Sequence, residues 1–595
     1  MALKRDFENI IENNNNKEMA IKHALYYLYE KNYKNRRLEL LFNDYSKYKI
    51  NEFNNIKRHL DDFNNKYYEE IINGNPGKIY EQITTNKLKK CLGQVYTPKT
   101  TINKMIKLSE LTSKSINNNF KIIDISCGSG YFLIEIINEL IKNGIHVKEL
   151  LKNNIYAVDK DDFSVFLTKL SLLIKYKGLN YEDLKIYNDD FLFFKNSELK
   201  KIKFDLVIGN PPYVGHKNLD KQYRQKLYKS FKTFNNKADL SFCFFEKSSK
   251  IVKNNGIITL ITSRYFLEAN NAFEIRKFIK KNFEIEEIID YYGYKLFKNA
   301  NISPLIIKLK KRNTKGNFRY LYKNDIKFNE VLFDQKNLND KKWIIKPQEE
   351  LNLLRKIYNE SANSIDDFID FKQGIITGLD KAFVLKDKEA KKNKIEEQLL
   401  KKWIKNSDIN NLDIKESNKK LIYLRNLDIR DYPNTFKYIS KYREKLEKRR
   451  ECRKGLINWY EIQWPRGKNI FEKDKILFPY KANSPKFILD KNKNYCSADI
   501  YIGIKKDSSL KYELLEKYLN SKVFNFVCRM ELKKVGENLY EFYPYSIKRL
   551  PILNKKKLID FDSSGYINYE DYLFKILNLT KEEIKIVNRY YWRSS

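Results

Sequence analysis

The sequence predicts an α/β fold, a mainly parallel sheet wound with helices, and three observations carry that reading. Short apolar runs of strand type alternate with helical segments from about residue 120 to 310. A glycine-rich turn, Cys127-Gly128-Ser129-Gly130, separates the first run from a helix. A polar residue suited to ligand binding closes each of four successive runs: Asp124, Asp159, Asp190 and Asn210. Open sheets of this kind take their ligands outside the carboxyl ends of the strands.

Taken in order, residues 1–88 read as a polar helical extension with apolar faces from Ala20, Ile21, Ala24, Leu25, Leu28, Leu38, Leu40 and Leu41, and Asn13 to Asn16 read as a loop. No Glu-x-Lys or Asp-x-Lys occurs up to residue 95, so a nuclease is not expected there. The main α/β domain spans about 89–312. Its first strand, Lys121 to Ile125, carries Asp124 and leads through Ser126, Gly128 and Gly130 into a helix containing Leu133, Ile136, Ile137 and Leu140. An acidic residue ahead of those glycines would repel a pyrophosphate. It suits a cationic cofactor bearing an amino acid, which points to S-adenosylmethionine rather than NAD.

Ile155-Tyr156-Ala157-Val158 ends in Asp159, placed to accept the hydroxyls of a ribose. Leu184 to Tyr187 leads to Asp190 and Phe191, suited to an adenine amino group and its ring face. Any one of these carboxylates is more often a helix cap or a solvated turn residue. Three of them at consecutive strand ends strain that alternative. The fourth run, Phe204 to Gly209, delivers Asn210-Pro211-Pro212-Tyr213. With 12 prolines in the chain, about 0.002 such tetrads are expected by chance, so the loop reads as catalytic. The Asn210 side-chain oxygen and the Pro211 carbonyl each suit one hydrogen of a planar amine, prolines hold that backbone, and Tyr213 offers a stacking face.

The order Gly93-Gln94-Val95-Tyr96-Thr97-Pro98, Asp124 to Gly130, Asp159, Asp190-Phe191, NPPY and a long basic C-terminal region resembles the gamma class of DNA amino-methyltransferases. From about residue 90 to 550 it is similar to clostridial orphan adenine methyltransferases, a sporulation-associated branch. The shared features are Gly-Gln-Val-Tyr-Thr-Pro, Asn-Pro-Pro-Tyr-Val-Gly-His-Lys, Lys237-Ala238-Asp239-Leu240 and Gln373-Gly374-Ile375-Ile376-Thr377-Gly378. The resemblance implies a Rossmann-like S-adenosylmethionine-dependent domain, Tyr96 and Thr97 over the cofactor, and Phe297 against a flipped base. It further implies N6 methylation of adenine in an asymmetric, adenine-rich site of double-stranded DNA, without an attached nuclease. Cytosine N4, RNA or protein glutamine as methyl acceptor, and a non-catalytic DNA-binding protein, are the competing readings.

Net charge is +39, from 115 basic against 76 acidic residues, which suits a polyanionic partner. An AT-rich genome also favours lysine, so part of that excess reads as solvated surface. Residues 313–365 read as a connector, 366–552 as an α+β target-recognition domain, and 553–595 as a helical tail. Lys441 to Arg450 reads as one helix running into Arg453 and Lys454. The candidate DNA contacts are His216, Lys217, Arg443, Arg449, Arg450, Arg453, Lys454, Arg466, Lys481, Asn483, Lys533 and Lys534, with Trp459, Tyr460 and Trp464 interleaved. The six cysteines show no C-x-x-C, so no metal is expected. No signal-peptide pattern or membrane-length apolar run is found, and a monomeric, cytoplasmic, nucleoid-associated bacterial protein is expected.

Overall fold

The computed structural model describes residues 17–33, 38–49, 65, 76–83, 97–111, 119–142, 144–235, 237–294, 296–297, 303–324, 327–410 and 412–592. The chain divides into two compact units, Met1–Lys346 and Pro347–Ser595.

The first unit is built on nine strands: β1 (Ile122–Asp124), β2 (Ile155–Asp159), β3 (Ile186–Asn188), β4 (Phe204–Gly209), β5 (Val252–Ser263), β6 (Glu284–Asp290), β7 (Pro304–Lys310), β8 (Asn317–Asn324) and β9 (Lys327–Asp334). Their order is β3-β2-β1-β4-β5-β7-β6-β8-β9. The first five run parallel, and β7 lies antiparallel between β5 and β6. Helices cover the sheet, so β1, β2 and β4 are buried along nearly their whole length, which is why they read as unbroken apolar runs. The strand order reverses between β1 and β4, and Asp124 pairs in register with Ile208 there. A ligand site is expected at such a reversal.

The N-terminal helices Lys17–Tyr33, Glu39–Asp44 and Pro76–Ile83 share this unit's hydrophobic core. They pack on the helix Asp162–Lys175 that follows β2, through ring contacts of Tyr26 and Tyr45 with Phe166 and of Tyr48 and Tyr80 with Phe163. The segment expected as a connector, 313–365, is corrected in two ways. Residues 317–324 and 327–334 form β8 and β9 at the end of the sheet, where Phe318 and Tyr320 point inward while Arg319 between them faces out. The helix Gln348–Glu360 belongs to the second unit.

In the second unit, Ile369–Gln373, Ile500–Lys505, Lys475–Pro479 and Ile488–Asp490 form an antiparallel four-stranded sheet in that order. A second sheet joins Val384–Lys386, Lys419–Ile422, Leu400–Ile404 and Tyr495–Cys496. Trp403, Tyr495 and Phe471 fill the core, the latter two rings stacked at 4.5 Å. A fully buried Lys475–Asp490 ion pair of 2.6 Å joins register partners on the last two strands of the first sheet. The C-terminal helix Lys581–Trp592 packs Tyr590 on Phe526 and donates its hydroxyl to Glu350, so the tail is an integral part of this unit. The expected single helix at 441–454 is broken into Arg443–Glu447 and Arg450–Arg453, with Arg449 extended between them.

Candidate active site

Asp124, the last residue of β1, accepts the Ser126 N–H on Oδ1 at 3.1 Å. Its Oδ2 is buried without a hydrogen-bond partner, a costly state for a carboxylate unless a ligand donor completes it. Desolvation pushes this carboxyl up to about 7, the Ser126 N–H opposes the shift, and the Asp159 charge adds to it. Gly209 ends β4 at φ 153°, and a Cβ there would stand 3.1 Å from Asp124 Oδ1. Glycine therefore lets the next loop leave the sheet directly beside the acid.

Four hydrogen bonds fix that loop. The Ser126 hydroxyl donates to the Asn210 carbonyl at 2.9 Å, tying the end of β1 to the start of the loop. Asn210 Nδ2 donates to Thr97 Oγ1 at 3.0 Å, while Asn210 Oδ1 accepts the Tyr213 hydroxyl at 2.7 Å. That hydroxyl also lies 3.2 Å from the Ile261 carbonyl on β5. Pro211 is buried and Pro212 half-buried. The Tyr213 ring packs against the core and lies 6.3 Å from the buried Phe297 ring, tilted by 47°. Burial raises the Tyr213 phenol well above its ordinary range, which keeps it a donor.

The glycine turn and the end of β2 form one hydrogen-bonded unit. Gly128 N–H donates to Asp159 Oδ2 at 2.8 Å, and Asp161 N–H donates to Oδ1 at 2.9 Å. Desolvation pushes Asp159 up to about 6 against the pull of those two bonds. Gly130, at φ 88°, sits where a Cβ would meet Thr168 Oγ1 at 2.8 Å. At the end of β3, Asp190 caps the turn at Leu192 N–H and accepts the Tyr223 hydroxyl at 2.9 Å. Phe191 is buried and stacked on Phe244 at 5.2 Å, so that face of its ring is occupied by protein. Tyr96 lies outside the described residues.

Among the expected DNA contacts, Lys217 is exposed and His216 half-exposed just past the loop. Arg450, Arg453 and Lys454 are exposed, and Arg443 pairs with Glu447 at 2.7 Å over the Trp459 ring. Arg466 donates to the Gly374 carbonyl and to Gln373, beside the 44% exposed Trp464. Lys481 and Asn483 are half-exposed. Two expectations are corrected. Arg449 is buried and donates to the carbonyls of Leu446, Thr377, Glu461 and Trp459, which makes it an internal clamp rather than a phosphate contact. Lys534 is buried against Tyr540, and its neighbour Lys533 pairs with Glu541 at 3.3 Å. Sequence reasoning missed Tyr223 and the bond from Thr97 to Asn210, because no local pattern reports partners so distant in the chain.

Comparison with known proteins accords with this arrangement. Residues 153–297 match the Eco57I restriction-modification methylase family, and residues 383–552 match the TaqI-like C-terminal specificity domain. The Type II methyltransferase M.BstVI of Geobacillus stearothermophilus is 24% identical over 552 residues, covering 83% of this chain and 97% of that protein. M.BanIII of Aneurinibacillus aneurinilyticus is 29% identical over 446 residues, covering 64% and 75%. The Type IIL restriction-modification enzyme MmeI, solved in complex with DNA, shares the fold at a TM-score of 0.65 with 14% identity, over 99% of this chain and 94% of that one. With one segment similar to a methylase ahead of one similar to a specificity domain, and relatives aligned along most of its length, the chain is similar to Type II restriction-modification methylases.

Proposed function

We propose that this protein is a site-specific DNA adenine-N6 methyltransferase of the gamma class that uses S-adenosylmethionine and acts on a flipped base, in an asymmetric, adenine-rich site and without a nuclease of its own. The observation that carries this reading is the Asn210 amide, fixed between Thr97 and Tyr213 at the sheet's reversal and tied through Ser126 to the Asp124 turn.

The residues present fit the cofactor. Asp124 Oδ2 is a buried acceptor lacking a donor, which an amino-acid ammonium would supply. The Gly128–Gly130 turn offers backbone at close range, and Asp159 retains lone pairs for ribose hydroxyls after accepting two N–H bonds. When bound, S-adenosylmethionine supplies an electrophilic methyl, whose bond to sulfur breaks as the bond to nitrogen forms.

The chain's own residues prepare the acceptor. An exocyclic amine of a nucleobase is a weak nucleophile because its lone pair is delocalised into the ring. Asn210 Oδ1 and the Pro211 carbonyl each take one amine hydrogen, which favours a pyramidal nitrogen with its lone pair directed outward. Buried Pro211 keeps those two oxygens at a fixed separation. Contact of the base with the half-buried Tyr213 ring contributes about 1–3 kcal/mol, offsetting part of the few kcal/mol that extrusion from duplex costs.

Incubation of the purified protein with methyl-labelled S-adenosylmethionine and duplex DNA, followed by nucleoside analysis, tests the reading. Label in N6-methyladenine supports it. Label confined to N4-methylcytosine, to RNA or to protein replaces the proposed acceptor.

A further inference from the structure

The N-terminal helices have no place in the chemistry above, yet they touch both loops assigned to the cofactor. Lys22 Nζ lies 3.5 Å from Asp161 Oδ1. Lys47 pairs with Asp162, whose other oxygen accepts the Tyr48 hydroxyl at 2.7 Å. Asp161 in turn donates its N–H to Asp159, so these contacts bear on the carboxylate read as the ribose acceptor. Burial opposes the Asp162 charge, but the bonds from Lys47 and Tyr48 outweigh it and hold that carboxyl below its usual range.

A separate contact reaches the glycine turn. Gly77, in the helix Pro76–Ile83, lies so close to Ser129 that an added Cβ would fall 2.2 Å from the Ser129 carbonyl oxygen and 2.7 Å from its Cβ. Ser129 is buried between Gly128, which donates to Asp159, and Gly130. One N-terminal assembly therefore presses on the turn after β1 and ties down the turn after β2.

We propose that the N-terminal helices form a supporting wall of the cofactor pocket, with Gly77, Lys47 and Tyr48 as positioning residues that set affinity for the methyl donor; this rests on the reading of Asp124 to Gly130 and Asp159 as the cofactor site. A role in packing alone would lower thermal stability without a selective effect on the cofactor. The positioning role changes binding of the donor in folded protein and spares the later steps.

The test uses the full chain, with S-adenosylhomocysteine binding measured by calorimetry, KM for S-adenosylmethionine, kcat at saturating donor, DNA affinity and melting temperature. Gly77→Ala is expected to weaken S-adenosylhomocysteine binding about tenfold, because the neighbour it strikes is backbone and cannot rotate away. Tyr48→Phe and Lys47→Met are each expected to weaken it about threefold, the effect of removing one hydrogen bond. Lys47→Arg restores affinity, KM rises in step with the dissociation constant, and kcat and DNA affinity stay unchanged. If Gly77→Ala does not fold, Tyr48→Phe and the Lys47 pair decide the matter. Wild-type binding with unaltered affinity in the folded variants, or parallel losses of kcat and DNA affinity, overturns the proposal alone. Wild-type protein that does not bind S-adenosylhomocysteine overturns the cofactor reading and this proposal with it.

Discussion

Lowering the pH from 8 to 6 is expected to weaken S-adenosylhomocysteine binding more than tenfold, and the cause lies in one carboxylate. Asp124 is pushed up to about 7 by desolvation, so its ionised fraction falls from about nine-tenths at pH 8 to about one-tenth at pH 6. Only the ionised form attracts an ammonium to its unpartnered Oδ2, which gives about a tenfold loss. Asp159, at about 6, adds about a further twofold. The stability of the ligand-free protein moves the other way. The folded-state pKa of Asp124 is raised above its unfolded value, so its contribution is full below about pH 4 and is lost as pH rises through about 7. Between those two limits the contribution is on the order of 4 kcal/mol. Calorimetric titration across this range, in buffers of differing ionisation enthalpy, reads both the affinity and the proton released on binding. The melting-temperature shift induced by the ligand should be larger at pH 8, by the equivalent of about 1.4 kcal/mol for each tenfold in affinity. Affinity that is flat or falls as pH rises, with no proton release, refutes the assignment of Asp124 as the ammonium acceptor.

Three further outcomes follow. Thr97→Val is expected to lower kcat about tenfold by releasing the Asn210 amide, with Thr97→Ser restoring it; equal losses in both variants in a steady-state assay contradict the positioning role. Arg449→Met strands four carbonyls and should cost about 3 kcal/mol or more of stability, while the salt dependence of DNA binding is unchanged; calorimetry and binding isotherms at several salt concentrations check both. Replacing the exposed Arg453 and Lys454 by Gln should reduce the slope of log affinity against log salt by about 0.9 for each phosphate that is no longer neutralised; an unchanged slope removes them from the interface.

The parts of the site that could be read in advance are those whose signal is local. A buried strand closed by Asp124 and followed by two glycines, or by Asn-Pro-Pro-Tyr, announces its geometry within a dozen residues. The core of the fold was legible for the same reason, since strands buried on both faces are continuous apolar runs. Strands β8 and β9 at the end of the sheet were not, because exposed charged residues such as Arg319 and Glu330 interrupt their apolar positions and a half-exposed strand in a lysine-rich chain resembles a connector. Arg449 was misread because a run of basic residues gives no sign that one member turns inward and breaks the helix. The clamp on Asn210 depends on Thr97, more than a hundred residues away, and the support of Ser129 depends on Gly77. Such contacts are set by tertiary packing, and no spacing in the sequence encodes them.

The central claim is that the Asn210 amide prepares a base nitrogen to receive a methyl group. It is tested most directly by comparing wild-type protein with Asn210→Ala for methyl transfer to duplex DNA, at saturating S-adenosylmethionine and with cofactor and DNA affinities measured on the same preparations. The account predicts N6-methyladenine from the wild type and loss of transfer by a factor of about a hundred or more in the variant, with both affinities kept within a few-fold. Transfer by Asn210→Ala at the wild-type rate, or wild-type protein that leaves every adenine unmodified, contradicts it.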